Sequence, residues 1–351
     1  MRDVVAAQLR VAIVAPPWYE VPPEGYGGVE RVCAVLVEGL VARGHAVTLI
    51  GAGHNHTRAN FVQTLAQAPG EESGQHALVE ITHAARALDA IGRLRPDVVH
   101  DHSLAGPLGA QSYAAPTVVT AHMPLAGPES QLEYFEAISR GTALVALSEA
   151  QRSDAPHLPW VGVNPNGIDV EAFPFRKRKD DYVLYLGRIS ATKGVGLAIR
   201  AARQAGRRLV IAGKGSIPAE TTYFQEQILP EIGGDVEWVG EVSGQPRLEL
   251  LSRAQCLIFP ICWREPFGLV LIEAMACGTP VVALAEGSVP EIVEHGRTGV
   301  LCQEPAELPA AIEASSHLEP RECRNQVKRR FTAEHMVGGY EAVYRRVLQA
   351  G

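Results

Sequence analysis

The sequence predicts an α/β protein built from two doubly wound domains that face each other across a cleft. Three observations carry this expectation. At 351 residues the chain is longer than one ordinary core can fill. Short apolar runs alternate with stretches of helical periodicity through its first half. After a charged, proline-containing stretch at 171–181 the same alternation begins again.

Residues 9–15 form an apolar run ending in Pro16-Pro17, the signature of a buried first strand. A Pro- and Gly-rich loop carrying Trp18, Tyr19 and Tyr26 leads to Gly27-Gly28. A helix follows, with Val29, Val32, Cys33, Leu36, Leu40 and Val41 spaced for one buried face, and Gly44 ends it. A strand is expected at 46–50. Residues 54–76 show no clear period and read as an irregular surface segment. A helical stretch at 84–94 and strands at 98–100, 117–121 and 143–147 complete the first half.

Beyond the linker, whose run Arg176-Lys177-Arg178-Lys179 reads as a solvated hinge surface, strands are expected at 182–186, 209–212, 236–239, 256–259 and 281–284. Helices are expected near 195–204, 224–229 and 246–254. Another should begin at Pro266, because proline is favoured at the first helical position. The rest of the chain reads as predominantly helical. The expected division is a domain at 1–170, the linker at 171–181, a second domain at 182–330 and a terminal helix within 331–351.

Composition narrows the function. With 46% apolar and 20% charged residues the chain is of ordinary globular type. Its formal charge of −7 argues against nonspecific binding to nucleic acid or anionic membrane, so an anionic ligand must be held by individual cations. The six cysteines lack paired metal-ligand spacing and read as buried, reduced thiols of a cytoplasmic protein. Met1-Arg2-Asp3-Val4-Val5 lacks a signal-like apolar block. The longest apolar stretch, 268–285, is broken by Glu273 and Gly278-Thr279-Pro280, which argues against an integral membrane segment.

The most informative segment is Glu265-Pro266-Phe267-Gly268-Leu269-Val270-Leu271-Ile272-Glu273. With a helix starting at Pro266, Glu265 stands at its mouth and Glu273 two turns inside. The amides of Phe267, Gly268 and Leu269 are then first-turn donors without intrahelical partners. A phosphorylated, hydroxyl-rich ligand suits both features, with phosphate on the helix end and hydroxyls on the carboxylates. Gly187-Arg188 and Lys193-Gly194 put two cations at the C-terminal edge of the second sheet, a fork and a mobile point charge for phosphate oxygens. Gly27-Gly28 allows close backbone approach to phosphate, and His122 follows the strand at 117–121.

These pieces resemble the retaining glycosyltransferases of family 4, which have the GT-B architecture of two facing Rossmann-like domains. The matching residues are Tyr26-Gly27-Gly28-Val29-Glu30-Arg31, Thr120-Ala121-His122, Pro165-Asn166-Gly167-Ile168-Asp169, Gly187-Arg188 with Lys193-Gly194, and the block from Glu265 to Gly299 with Gly287-Ser288-Val289-Pro290-Glu291. The resemblance implies that Arg188 and Lys193 bind the donor diphosphate. It gives donor-sugar hydroxyls to Glu265, backbone contacts to Phe267, Gly268 and Leu269, and the nucleotide ribose to Glu273. Gly27 and Gly28 become the loop over the diphosphate, and His122 a histidine beside the transferred sugar. It also implies a terminal helix that crosses back to the first domain, which carries acceptor specificity.

The implied reaction is transfer of a hexosyl group from a nucleoside-diphosphate sugar to a small-molecule, lipid or short-glycan acceptor hydroxyl, with retention and without a metal. The sequence has no obvious DxD-type metal pair. A nucleotide-sugar epimerase and a non-catalytic sugar-nucleotide binder are the competing readings.

Each site residue has a plainer alternative. Glu265 reads also as a helix cap, Glu273 as half of a buried ion pair, and Arg188 and Lys193 as surface charges. His122 is equally a strand-end histidine satisfied by backbone. His100-Asp101-His102 lacks an evident third metal ligand and reads as a structural polar cluster. Trp18 and Tyr26 either stack on an acceptor or anchor their loop. Glu30 either touches the acceptor or is a first-turn charge that favours the helix.

Overall fold

The computed structural model describes residues 8–70, 76–215 and 217–350. The stretch Met1-Arg2-Asp3-Val4-Val5 and residues 71–75 of the 54–76 segment lie outside the described residues. The first sheet has seven parallel strands: β1 (Arg10–Val14), β2 (Ala46–Ala52), β3 (Asn60–Leu65), β4 (Val98–Asp101), β5 (Thr117–Thr120), β6 (Ala143–Ala146) and β7 (Trp160–Val163). Their order is β3-β2-β1-β4-β5-β6-β7. Helices α1 (Gly28–Ala42), α2 (His76–Leu94), α3 (Leu132–Ile138) and α4 (Glu149–Asp154) connect them.

The second sheet comprises β8 (Val183–Leu186), β9 (Leu209–Ala212), β10 (Val236–Trp238), β11 (Cys256–Phe259), β12 (Val281–Leu284) and β13 (Gly299–Cys302), in the order β10-β9-β8-β11-β12-β13. Its helices are α5 (Val195–Gln204), α6 (Pro218–Tyr223), α7 (Gly244–Arg253), α8 (Leu269–Ala276), α9 (Val289–Ile292), α10 (Leu308–Ser315) and α11 (Pro320–Arg330), and α12 (Ala333–Ala350) follows them. Central strands such as β9, β11 and β12 are buried at every position, which is why they read as unbroken apolar runs.

Several expectations are corrected. The 54–76 segment contains β3, which pairs only with β2 and is half exposed, so Asn60 and Gln63 dilute its apolar pattern. The edge strands β7 and β13 also escape notice; beyond 284 the chain is predominantly helical, as expected, with β13 inserted between α9 and α10. The helix near 224–229 starts earlier, as α6, and continues through a π-helical turn at Phe224–Ile228. Cys262 is exposed, while the other five cysteines are buried; all six are free. Lys179 is no solvated hinge residue: its Nζ bonds Ser252 O (2.8 Å), Cys277 O (3.1 Å) and Thr279 Oγ1 (2.9 Å). Burial lowers its pKa to about 8.

The helix expected from Pro266 begins at Leu269, capped by Gly268 at φ 80°. A helix from Pro266 would commit the carbonyls of residues 265–267 to N–H groups four positions on. Those carbonyls are instead taken by Ser288 N on Glu265 O (3.0 Å), Ser148 Oγ on Pro266 O (2.9 Å) and Ser288 Oγ on Phe267 O (3.0 Å). Tertiary hydrogen bonds win over the local preference of proline.

Helix α12 packs on the first sheet. Val337, Tyr340 and Tyr344 are buried in one cluster with Val32, Leu36 and Leu40 of α1. A Cβ at Gly39 would overlap Val337, so glycine lets the two helices approach. Glu341 seals the contact by pairing with Arg43 and accepting from His45 Nε2 at 2.7 Å.

Candidate active site

Each sheet reverses its strand order once, between β1 and β4 and between β8 and β11. Ligands of open α/β sheets bind outside the C-terminal strand ends at such points. The loops leaving β1, β8 and β11 meet there around a cleft of about 220 Å³. Tyr26, Gly27 and Gly28 line one wall; Arg188, Lys193, Glu265, Gly268, Leu269 and Glu273 line the other. Nine of the sequence-selected residues are thus brought together.

At the mouth of α8, Glu265 Oε2 accepts from both Lys193 Nζ and Trp263 Nε1, each at 2.7 Å. The Lys193 ammonium stands 4.3 Å from the centre of the Trp263 ring, a cation–π distance. Gly287 holds this corner from behind: at φ 56° it lies so close that a Cβ would meet Glu265 O at 2.5 Å. Arg188 Nη1 lies 3.3 Å from Glu220 Oε1, and its carbonyl accepts from the Tyr185 hydroxyl at 2.7 Å. The α8 N-terminus adds its own positive potential, with Leu269 and Val270 at the cleft surface.

Deeper in the cleft, Glu273 is 2% exposed and paired with Arg247. Arg31 reaches in from α1 and donates to Gly25 O at 2.8 Å. Burial pulls its pKa down from the usual value, with Glu273 opposing and Arg247 adding to the shift. Near the rim, Glu241 accepts from Tyr26 N at 3.1 Å and pairs with Lys214 at 2.9 Å, tying the glycine loop to the opposite wall.

Four selected residues lie elsewhere. Phe267 is buried and packs edge-on against Phe331, at 5.8 Å between ring centres, so its side chain faces the core. Glu30 is 3% exposed and lines neither wall; its Oε2 lies beneath Gly27, 3.1 Å from where a Cβ would stand. His122 and Trp18 line a separate cavity of about 200 Å³ within the first domain. This cavity neighbours the cleft: Val29 lines it, while Gly28 lines the cleft.

The His100-Asp101-His102 stretch is a polar cluster tied to α12. His100 Nδ1 meets Tyr344 Oη and its Nε2 meets Thr120 Oγ1, both at 2.8 Å. His102 packs on His100 (4.1 Å between ring centres) and shares a hydrogen bond with His122, Nδ1 to Nε2, at 2.9 Å. Burial lowers the pKa of His100 to about 3 and of His122 to about 4, so both are neutral at pH 7.

Two family models match the chain: Glycosyltransferase Family 4 over residues 26–172 and Glycosyl transferases group 1 over residues 169–330. A glycogen synthase of Mycobacterium tuberculosis is 30% identical, covering 87% of this chain and 85% of that protein. The chain belongs to glycosyltransferase family 4. An alpha-maltose-1-phosphate synthase of Mycolicibacterium smegmatis is 33% identical over 62% of this chain and 67% of its own length. Among solved structures, AviGT4, a glycosyltransferase involved in avilamycin A biosynthesis, superposes with a TM-score of 0.74 at 28% identity, covering 98% of this chain and 99% of that one. The two parallel-sheet halves are the GT-B fold.

Sequence reasoning missed several residues of this family 4 cleft. Lys214 follows β9 just as Arg188 follows β8, so the strand-end rule would have found it. Arg31 stands in the quoted glycine motif without a role having been given to it. Arg247, Glu241 and Trp263 carry no local signal; only the fold places them. Among the described residues, no helix is long and apolar enough to cross a membrane.

Proposed function

We propose that this glycosyltransferase moves a hexosyl group from a nucleoside-diphosphate sugar to an acceptor hydroxyl with retention at the anomeric carbon, without a metal ion. The observation that carries the reading is the Lys193–Glu265 pair at the mouth of α8, with Arg188 on the same wall. Arg188, Lys193 and the α8 N-terminus supply fixed positive charge where a departing diphosphate would collect negative charge. Glu265, held by Lys193 and Trp263, is oriented to accept hydroxyl protons of the sugar. Glu273 keeps one carboxylate oxygen on Arg247 and offers the other to ribose. Gly27 and Gly28 bring backbone over the diphosphate, and Leu269 and Gly268 present main chain from below.

His122 is neutral and holds its Nε2 on His102, so from the neighbouring second cavity it acts by hydrogen bonding rather than by charge. In the proposed step the anomeric C–O bond to phosphate breaks as the acceptor oxygen bonds the same carbon on the same face. The departing phosphate oxygen takes the acceptor proton, so no separate base is required. The five buried free thiols fit a reducing, cytoplasmic setting.

The test is incubation with UDP-, GDP- and dTDP-sugars and candidate acceptors in the presence of EDTA. Acceptor-dependent release of nucleoside diphosphate with the donor's anomeric configuration kept in the product, read by NMR, is expected. An inverted product, or an absolute need for a divalent ion, would overturn the reading.

A further inference from the structure

We propose that the second cavity is the acceptor subsite and that it takes a neutral, polyhydroxylated ring while rejecting phosphorylated ones. The proposal rests on the transferase reading only for the word acceptor; the ligand chemistry is argued from the cavity itself. Its volume of about 200 Å³ lies below the range of drug-sized sites, which suits a single ring. Val29 lines it, and the adjacent Gly28 lines the cleft.

Two polar side chains in its wall are more than nine-tenths buried and still have an unused atom. Glu80 (6% exposed) accepts from Ala105 N at 3.3 Å through Oε2 and is also held by the Leu104 N–H and the Trp18 indole, while its Oε1 makes no hydrogen bond of good geometry among the described residues. His102 (7% exposed) spends Nδ1 on His122, and its Nε2 likewise has no partner among the described residues. Buried polar atoms left in this way cost stability unless a ligand or water satisfies them.

The chemistry of the two atoms differs usefully. Glu80 Oε1 can only accept when ionised. His102 Nε2 donates when His122 donates to its Nδ1, and accepts in the other tautomer. A ligand hydroxyl, which donates and accepts at once, satisfies both. Trp18 and Phe135 provide apolar surface in the same cavity, as the faces of a sugar or cyclitol ring require.

Charge sets the exclusion. Among the described residues, neither lysine nor arginine lines the cavity. A buried carboxylate and two neutral imidazoles face the ligand. A phosphate there would meet like charge and no cation, which weakens binding by at least roughly a hundredfold.

The experiment is equilibrium binding, by saturation-transfer NMR, of glucose and myo-inositol against their monophosphate esters in the presence of UDP. Neutral rings should bind at least roughly a hundredfold tighter than the esters. In Glu80→Gln, which keeps the shape, that preference should narrow about tenfold. Esters that bind as tightly as neutral rings, or a preference unmoved in Glu80→Gln, would overturn the proposal. A UDP titration on the same samples reads the donor cleft separately. Its failure would count against the transferase reading, while the ring preference is judged by its own curves.

Discussion

Lys193 Nζ and Glu265 Oε2 stand 2.7 Å apart at the mouth of α8, so a cation suited to phosphate and a carboxylate suited to sugar hydroxyls are one preformed pair. The two side chains are 18% and 12% exposed and arrive from opposite sides of the β8/β11 switch point. Pairing restrains both before any ligand enters. It also means that removing one partner disturbs the other.

Lys193→Ala and Glu265→Ala should therefore each lower kcat/KM by about 10²–10³, the usual cost of losing a fixed electrostatic group. The fold should survive, because the pair is partly solvated. Steady-state kinetics beside circular-dichroism melting checks both halves. Near-normal turnover by folded variants would remove these residues from the chemistry.

Glu273 and Arg247 pose a different case, because the carboxylate is 2% and the guanidinium 15% exposed. Glu273→Ala leaves a largely buried charge uncompensated and should destabilise the protein by about 3–5 kcal/mol. Denaturant midpoints would register it. The double variant with Arg247→Met should recover part of that loss, since a hydrophobic replacement of the whole pair is tolerated far better than half of it.

Acid should unfold this protein through its buried histidines. Burial depresses His83 and His122 to about 4 and His100 to about 3, and lowers His102 also. Below the ordinary histidine range the unfolded chain binds protons that the folded chain refuses. Stability is therefore full above about pH 6.5 and falls as pH drops towards 4. Asp101, raised to about 7 by burial, and Glu80, whose carboxyl burial also shifts upward, act in the opposite sense as pH falls. Four histidines outweigh two carboxyls, so the denaturation midpoint should fall between pH 6.5 and 4. A midpoint that rises there would contradict the burial of these rings.

Gly39→Ala tests the α1–α12 contact. The added methyl meets Val337, and overpacking of this kind costs about 1–3 kcal/mol. A thermal shift of the same sign in Tyr344→Phe, which leaves His100 Nδ1 without its hydroxyl partner, would tie α12 to the histidine cluster as well.

Much of this architecture could be read from residue order because the central strands are buried on both faces and stand out as apolar runs. The edges could not. In β3 half-exposed positions mix polar and apolar residues, while in β7 and β13 a glycine and partly exposed positions break up a four-residue apolar run. The cleft was legible where chemistry follows a strand or opens a helix, as with Arg188, Lys193 and Glu265. It was not legible where distant segments decide. Ser148 and Ser288 shift the start of α8, Phe331 draws Phe267 into the core, and α7 supplies Arg247. Likewise, placing His122 in a cavity of its own with Trp18 took the arrangement of β1, β4 and β5 together.

The central claim is that the charge of a donor diphosphate is absorbed by Arg188, Lys193 and the α8 N-terminus. Isothermal titration of UDP and GDP in EDTA, on the wild type and on Arg188→Ala and Lys193→Ala, measures this most directly. The account predicts metal-free binding of at least one nucleotide and a loss of at least roughly tenfold in each variant, as expected for a charge-assisted contact. Equal affinity in all three proteins, or binding only after a divalent ion is restored, would contradict it.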